Sequence, residues 1–196
     1  MTHPMDIDFS NRDPLTGLDP LFFQRWSPRA YSDKPVSAKA QQMVFEAARW
    51  TPSAFNEQPW RFITCTPGSH ERFVKLLVDA NQAWARHAPV IGFITSERRF
   101  AMNDNENSVF EFDAGAAWMA MTLQARMLGL YTHGMAGVHY GRVYSTLNIN
   151  VATTKVICAF ALGHIGDPAG LPEATRRMEQ PSARKPLKEI WQQIDI

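Results

Sequence analysis

Three stretches of the 196-residue chain hold side chains able to recognise a small ligand. In Arg25-Trp26-Ser27-Pro28-Arg29-Ala30-Tyr31, the residues Arg25, Ser27 and Arg29 recur at every second position. Pro28 biases Ser27 towards extended backbone, so all three side chains can point to one side. Two guanidinium forks flanking a hydroxyl suit a phosphate, because charge-assisted, paired N–H donors match its oxygens. The alternative is a solvated turn whose arginines pair with Asp33 or Glu46. The second stretch, Pro52-Ser53-Ala54-Phe55-Asn56-Glu57-Gln58-Pro59-Trp60, sets the amides of Asn56 and Gln58 beside an aromatic ring, with proline near each end. Amides donate and accept, which is what the edge of a heterocycle with alternating carbonyl and N–H groups needs, as in the pyrimidine of a flavin. An ordinary loop whose amides cap nearby backbone accounts for the pattern equally well. Thirdly, Met135-Ala136-Gly137 offers small residues against which a flat ligand can lie, though a tight turn explains it too, and Arg184-Lys185 adds cationic charge near the end of the chain.

Other chemistries find no support. The chain has neither the Gly-x-Gly-x-x-Gly dinucleotide fingerprint nor a P-loop, and no Gly-x-Ser-x-Gly nucleophile elbow. Its six histidines fall at no zinc-helix spacing and pair with neither cysteine at finger spacing, so no metal site is expected. If the chain is an enzyme, its reactive atom belongs to a bound cofactor rather than to a side chain.

A composition of 45% apolar and 20% charged residues describes one folded domain with a sizeable core to hold these stretches. Twenty Lys and Arg against nineteen Asp and Glu leave no electrostatic footprint for nucleic acid. No signal peptide or bilayer-spanning run is read, and Cys65 and Cys158 read as buried thiols, so a cytoplasmic location is expected. Six Trp and twelve Phe exceed what a small core needs and point to an aromatic interface in a homo-oligomer.

Residues 1–20 read as an irregular N-terminal arm without chemistry, and 21–196 as one domain. Helices are predicted over 38–50, capped by Ser37, over about 70–80, capped by Ser69, and over 110–128, stopped by Gly129. A short helical turn is placed at 141–147, and strands at 61–66, 89–95, 130–138 and 154–164. Residues 97–108 read as a polar excursion or lid. Helices and strands in mixed order give an α+β architecture around a helix-covered sheet.

Taken together, Arg25-x-Ser-x-Arg-x-Tyr31, Pro52-Ser-x-x-Asn-x-Gln-Pro-Trp60, Asp113-Ala-Gly115 opening a small-residue helix that ends in Leu128-Gly-Leu130, and Arg184-Lys-Pro186 resemble the FMN-dependent nitroreductase family. So do Tyr131–Gly137 and Ala161–Pro168, and the order matches over roughly Arg25 to Ile190. The resemblance implies a nitroreductase-like sandwich with a mixed, mostly antiparallel central sheet. It implies an intertwined homodimer whose C-terminal segments wrap the partner, with an FMN site at each interface. Arg25, Ser27 and Arg29 would hold the phosphate and ribityl side, Arg29 near the pyrimidine end, Trp26 would join the cofactor site, and Arg184 would add a phosphate contact. Pro52, Ser53, Phe55 and Asn56 would meet the ring system from the other subunit, and Met135, Ala136 and Gly137 would approach it through backbone. Some members carry an acid where Ala136 stands and a second base where Ser182 stands. The implied activity is ping-pong transfer from NADH or NADPH through flavin N5 to a nitroaromatic, a quinone or a similar electrophile. A flavin carrier without turnover, or related flavin chemistry such as dehalogenation or dehydrogenation, stays open.

Overall fold

The structure, a computed structural model, describes residues 7–195. Its frame is a four-stranded sheet of β1 (Trp60–Thr64), β2 (Val90–Glu97), β3 (Tyr131–Met135) and β4 (Thr154–Gly163), in the order β1-β2-β4-β3. Every pairing is antiparallel, so the mixed sheet expected from the resemblance is, among the described residues, antiparallel throughout.

Helices cover both faces: α1 (Pro20–Gln24), α2 (Ala38–Arg49), α3 (His70–Val74), α4 (Asp79–Ala85), α5 (Phe110–Met127), α6 (Tyr140–Thr146) and α7 (Glu173–Arg176). The strand period of two divides the central strands between two cores. Ile91 and Phe93 of β2, with Ala159 and Ala161 of β4, join Trp84 and Tyr131 on one side. Val90 and Ile94, with Phe160 and Leu162, meet Ala114, Ala117, Met121 and Ala125 of α5 on the other. Small residues at this spacing let α5 lie close to the sheet. Gly92, opposite Phe160 in the register, is compelled by the same packing, since a Cβ there would stand 2.4 Å from the Phe160 ring and 2.8 Å from the Ile63 carbonyl.

Local signals act as read at two helix ends. Ser37 Oγ accepts from the Ala40 N–H at 3.1 Å to start α2. Gly129, at φ +75°, turns the chain after α5 while the Leu130 N–H reaches the Ala125 carbonyl at 2.8 Å. The helix expected over about 70–80 is instead two. After Val74 the chain unwinds so that Leu77 bridges Val138 and the His139 N–H donates to the Leu76 carbonyl. Ser69 does not cap α3, because its hydroxyl is engaged with Thr66. The strand expected to reach 138 stops at Met135. Both cysteines are free and half-buried rather than sequestered.

Candidate active site: an arginine cavity and a strained loop

Beyond Gly163 the end of β4 continues as an edge on which the Arg25–Tyr31 segment lies. Tyr31 bridges Ile165, the Ser32 N–H donates to the His164 carbonyl at 3.0 Å, and the Gly166 N–H donates to the Ala30 carbonyl at 2.8 Å. Gly166 permits this approach, since a Cβ would fall 2.5 Å from the Tyr31 carbonyl carbon. From β3, His133 Nδ1 sits 3.0 Å from the Pro28 carbonyl, to which it donates, and its ring packs 4.6 Å from that of Trp84. From the C-terminal segment, Glu179 accepts from the main-chain N–H groups of Arg29 and Ala30 at 2.8–2.9 Å.

These supports surround a cavity of about 300 Å³ lined by Arg12, Arg25, Trp26, Ser27, Arg29, His133, Met178, Gln180, Ser182 and Arg184. Five predicted site residues, Arg25, Trp26, Ser27, Arg29 and Arg184, are thereby gathered in one place from two ends of the chain. Arg12 was not predicted, and the arm read as chemically silent contributes it. Its Nε donates to the Ser182 carbonyl at 3.0 Å and its Nη1 to the carbonyls of Phe23 and, at 2.9 Å, Arg25. A single arginine amid turn-forming residues carries no periodic signal, so nothing local marks it.

The cavity has excess positive charge. Ion pairs among the described residues join Arg49 to Glu46, Arg99 to Asp104, Lys155 to Glu111 and Arg177 to Glu173, and none involves Arg12, Arg25, Arg29 or Arg184. The alternative in which Arg25 or Arg29 pairs with Asp33 or Glu46 therefore fails. Burial and the neighbouring guanidinium groups of Arg184 and Arg25 bring Arg12 down to about 10, and burial with Arg184 lowers Arg25. Such cations are destabilising to one another until an anion joins them. Burial, joined by the Arg29 charge and opposed by hydrogen bonds to the backbone of Pro28 and Ser27, holds His133 down to about 4 and keeps the imidazole neutral near pH 7. Trp26 lines the cavity with part of its side chain, while its Nε1 is sealed from solvent without a hydrogen-bond partner among the described residues. The residues present thus fit a phosphorylated ligand: arginines without a carboxylate partner, and the Ser27 hydroxyl.

Pro52, Ser53, Phe55 and Asn56 do not line this cavity. Their loop projects elsewhere in a strained form, with Phe55, Asn56 and Gln58 at φ 52°, 58° and 51°. Left-handed backbone costs a non-glycine residue about 1–2 kcal/mol, so surrounding bonds must hold it. Buried Asp113 of α5 accepts from the Ala54 N–H at 3.1 Å, Ser53 Oγ accepts from the Gln58 N–H at 2.9 Å, and Glu57 accepts from the Ala101 N–H at 2.9 Å. The last bond docks the 97–108 excursion on the loop, where Phe100 meets Phe55 edge-to-face at 5.5 Å. Phe55 is nonetheless 82% exposed. Met135, Ala136 and Gly137 also stand outside the cavity. Met135 is buried in the core, and the Gly137 carbonyl accepts from the Val78 N–H and Asn81 Nδ2 at 3.1 and 3.0 Å.

A wider recess runs along α2, but its charged residues Glu46 and Arg49 already pair with each other. No His, Cys, Asp and Glu grouping among the described residues is arranged to hold a metal, and no helix there is long and apolar enough to cross a membrane.

The model of the nitroreductase family matches residues 23–164, which include the Arg25–Tyr31 segment, the strained loop and all four strands. The chain belongs to the nitroreductase family. A protein of Leptothrix cholodnii named as an NADH dehydrogenase/NAD(P)H nitroreductase is 29% identical over 198 residues, spanning 90% of this chain and 95% of its own. A solved structure described as an oxidoreductase containing FMN superposes with a TM-score of 0.87 at 36% identity, over 92% of this chain and 93% of that one. A nitroreductase from Desulfovibrio desulfuricans, crystallised in complex with FMN, gives 0.73 at 25% identity, over 93% and 99%. The nitroreductase fold expected from the resemblance is thus the fold observed.

Proposed function

We propose that this nitroreductase-family chain is an FMN-dependent oxidoreductase that draws on NADH or NADPH to reduce small electrophiles such as nitroaromatics and quinones. The observation that carries the reading is the cluster of Arg12, Arg25, Arg29 and Arg184 without a carboxylate partner, since a flavin phosphate supplies the charge this cluster lacks. Relatives named for FMN or NAD(P)H point the same way.

Arg25, Ser27 and Arg184 hold the phosphate, with Arg12 reinforcing them, and Arg29 places positive charge towards the pyrimidine end. When bound, FMN supplies the two-electron chemistry between the nicotinamide donor and the oxidant. The chain's own task is to bind, to orient and to shield from water. A cavity of about 300 Å³ is at the small end of ligand pockets, ~300–1,000 Å³, so it accommodates the anionic end and leaves the tricyclic ring to be covered by other walls. Pro52, Ser53, Phe55 and Asn56 of a second copy supply one wall in a homodimer, and Met135–Gly137 the other through backbone. The outward, strained presentation of Phe55 supports this division, as do the exposed Leu187, Ile190, Trp191 and Ile194 in the C-terminal segment, which wraps the partner. One donor and one oxidant using the same pocket in turn give ping-pong kinetics.

Purified protein tests the proposal directly. A yellow preparation that bleaches anaerobically with NADH or NADPH and recovers on adding a quinone is expected. Yellow protein that fails to bleach with either donor would make it a flavin carrier, and a colourless chain that takes up no FMN would end the flavin reading.

A further inference from the structure

The anion cavity is half made of a segment with little else to hold it. Met178, Gln180, Ser182 and Arg184 form one wall, yet in the strap from 178 to 185 only Pro181 is buried outright. Polar contacts fix it at two places. Asn11 Nδ2 donates to the Pro181 carbonyl at 2.6 Å and Arg12 Nε to the Ser182 carbonyl at 3.0 Å. At the other place the half-buried carboxylate of Glu179 receives three contacts from two amides, Arg29 N–H at 2.8 and 2.9 Å and Ala30 N–H at 2.8 Å.

A carboxylate that feels the charge of the Arg29 guanidinium would ordinarily pair with it and cancel its charge. Glu179 makes no such ion pair and engages the backbone of Arg29 instead of its side chain. Burial raises its pKa, while the bonds from the Ala30 and Arg29 amides and the more distant charge of the Arg29 guanidinium pull it back down. Its geometry serves two ends together: it satisfies the adjacent amides of Arg29 and Ala30, and it leaves the Arg29 guanidinium outside any ion pair.

We propose that Glu179 is a positioning residue, a latch that ties the C-terminal strap to the Arg29–Ala30 backbone and so assembles the phosphate cradle from both ends of the chain. The ligand in this inference rests on the flavin reading above, whereas the latch itself does not. Phosphate affinity therefore depends on a residue that touches no phosphate.

Glu179→Ala and the isosteric Glu179→Gln test the latch by two readouts. The first is amide hydrogen exchange over 178–185 in flavin-free protein. The second is the dissociation constant for FMN compared with that for riboflavin, which has the same ring system and no phosphate. Loss of a charge-assisted bond pair predicts, for the alanine variant, FMN binding weakened by about tenfold or more with riboflavin changed by less than about twofold, together with faster strap exchange. The glutamine variant, keeping one acceptor oxygen, falls between, and it carries the comparison if the alanine variant does not fold. Unchanged strap exchange, or equal loss for both flavins, overturns the latch. Wild-type protein that binds neither flavin overturns the functional reading, and strap exchange in the flavin-free variants still decides the latch.

Discussion

The arginine cavity and the Pro52–Trp60 loop are both irregular backbone set against a regular sheet, but each leaves a different need unmet. The cavity's backbone is at ease: Gly166, His133 and Glu179 each meet a main-chain group of the Pro28–Ala30 turn, and no residue lining it has positive φ. What it lacks is charge balance. The loop's polar groups are well matched, through Asp113, Ser53 and Glu57, while three of its residues are in left-handed backbone and its aromatic side chain faces outwards. Electrostatic need calls for an anion; conformational strain with apolar exposure calls for a surface. Under the proposed function these are the two incomplete halves of one site.

The comparison breaks most visibly at Arg25. Arg25→Ala is expected to weaken FMN binding by about a hundredfold, since losing one partner of a buried charged contact costs about 2–5 kcal/mol, while flavin-free protein melts no lower because like charge has been relieved. A flavin-fluorescence titration and a melting curve on the same sample check both halves, and a fall in melting temperature with unchanged affinity would make Arg25 structural.

Next in size is the acid response of the cavity floor. His133 has its pKa lowered to about 4 from the ordinary value of 6.5, so below 6.5 the unfolded chain takes up a proton that the folded chain refuses. The stability His133 contributes is present above 6.5 and is lost as pH falls towards 4, by roughly 3 kcal/mol at about 1.4 for each tenfold change in proton concentration. His133→Gln flattens that acid limb in urea titrations at stepped pH, and an unaltered slope would assign it to other groups. The smallest effect belongs to the loop. Asn56→Gly relieves left-handed backbone but frees the unfolded chain, so its stability changes by less than about 1 kcal/mol. Calorimetry showing a larger loss would mean the Asn56 amide, not its backbone, holds the loop.

Much of this was legible beforehand, for identifiable reasons. Alternating or continuous apolar runs placed the strands, since burial on one face or two writes itself into adjacent residues. Arg25, Ser27 and Arg29 could be grouped because Pro28 constrains their local geometry. The break between α3 and α4 was not readable, because Leu76 and Leu77 obey helical spacing while the Leu77–Val138 bridge that wins is 61 positions away. Arg12 and Glu179 escaped for the same reason: each acts on carbonyls or amides distant in sequence, and such groups carry no residue type to read. In Pro52–Trp60 the composition announced a loop, but the left-handed backbone of Phe55 depends on Asp113, brought by another element.

The clasp between residues 11–29 and residues 179–182 also bears on the order of assembly. Asn11 and Arg12 meet Pro181 and Ser182 across 170 positions, and Glu179 reaches Arg29 across 150. Contacts that distant bear the largest loop-closure entropy and form late. The sheet can therefore collapse before residues 178–185 have docked, whereas the arginine cavity is complete only once that strap has met residues 11, 12 and 29.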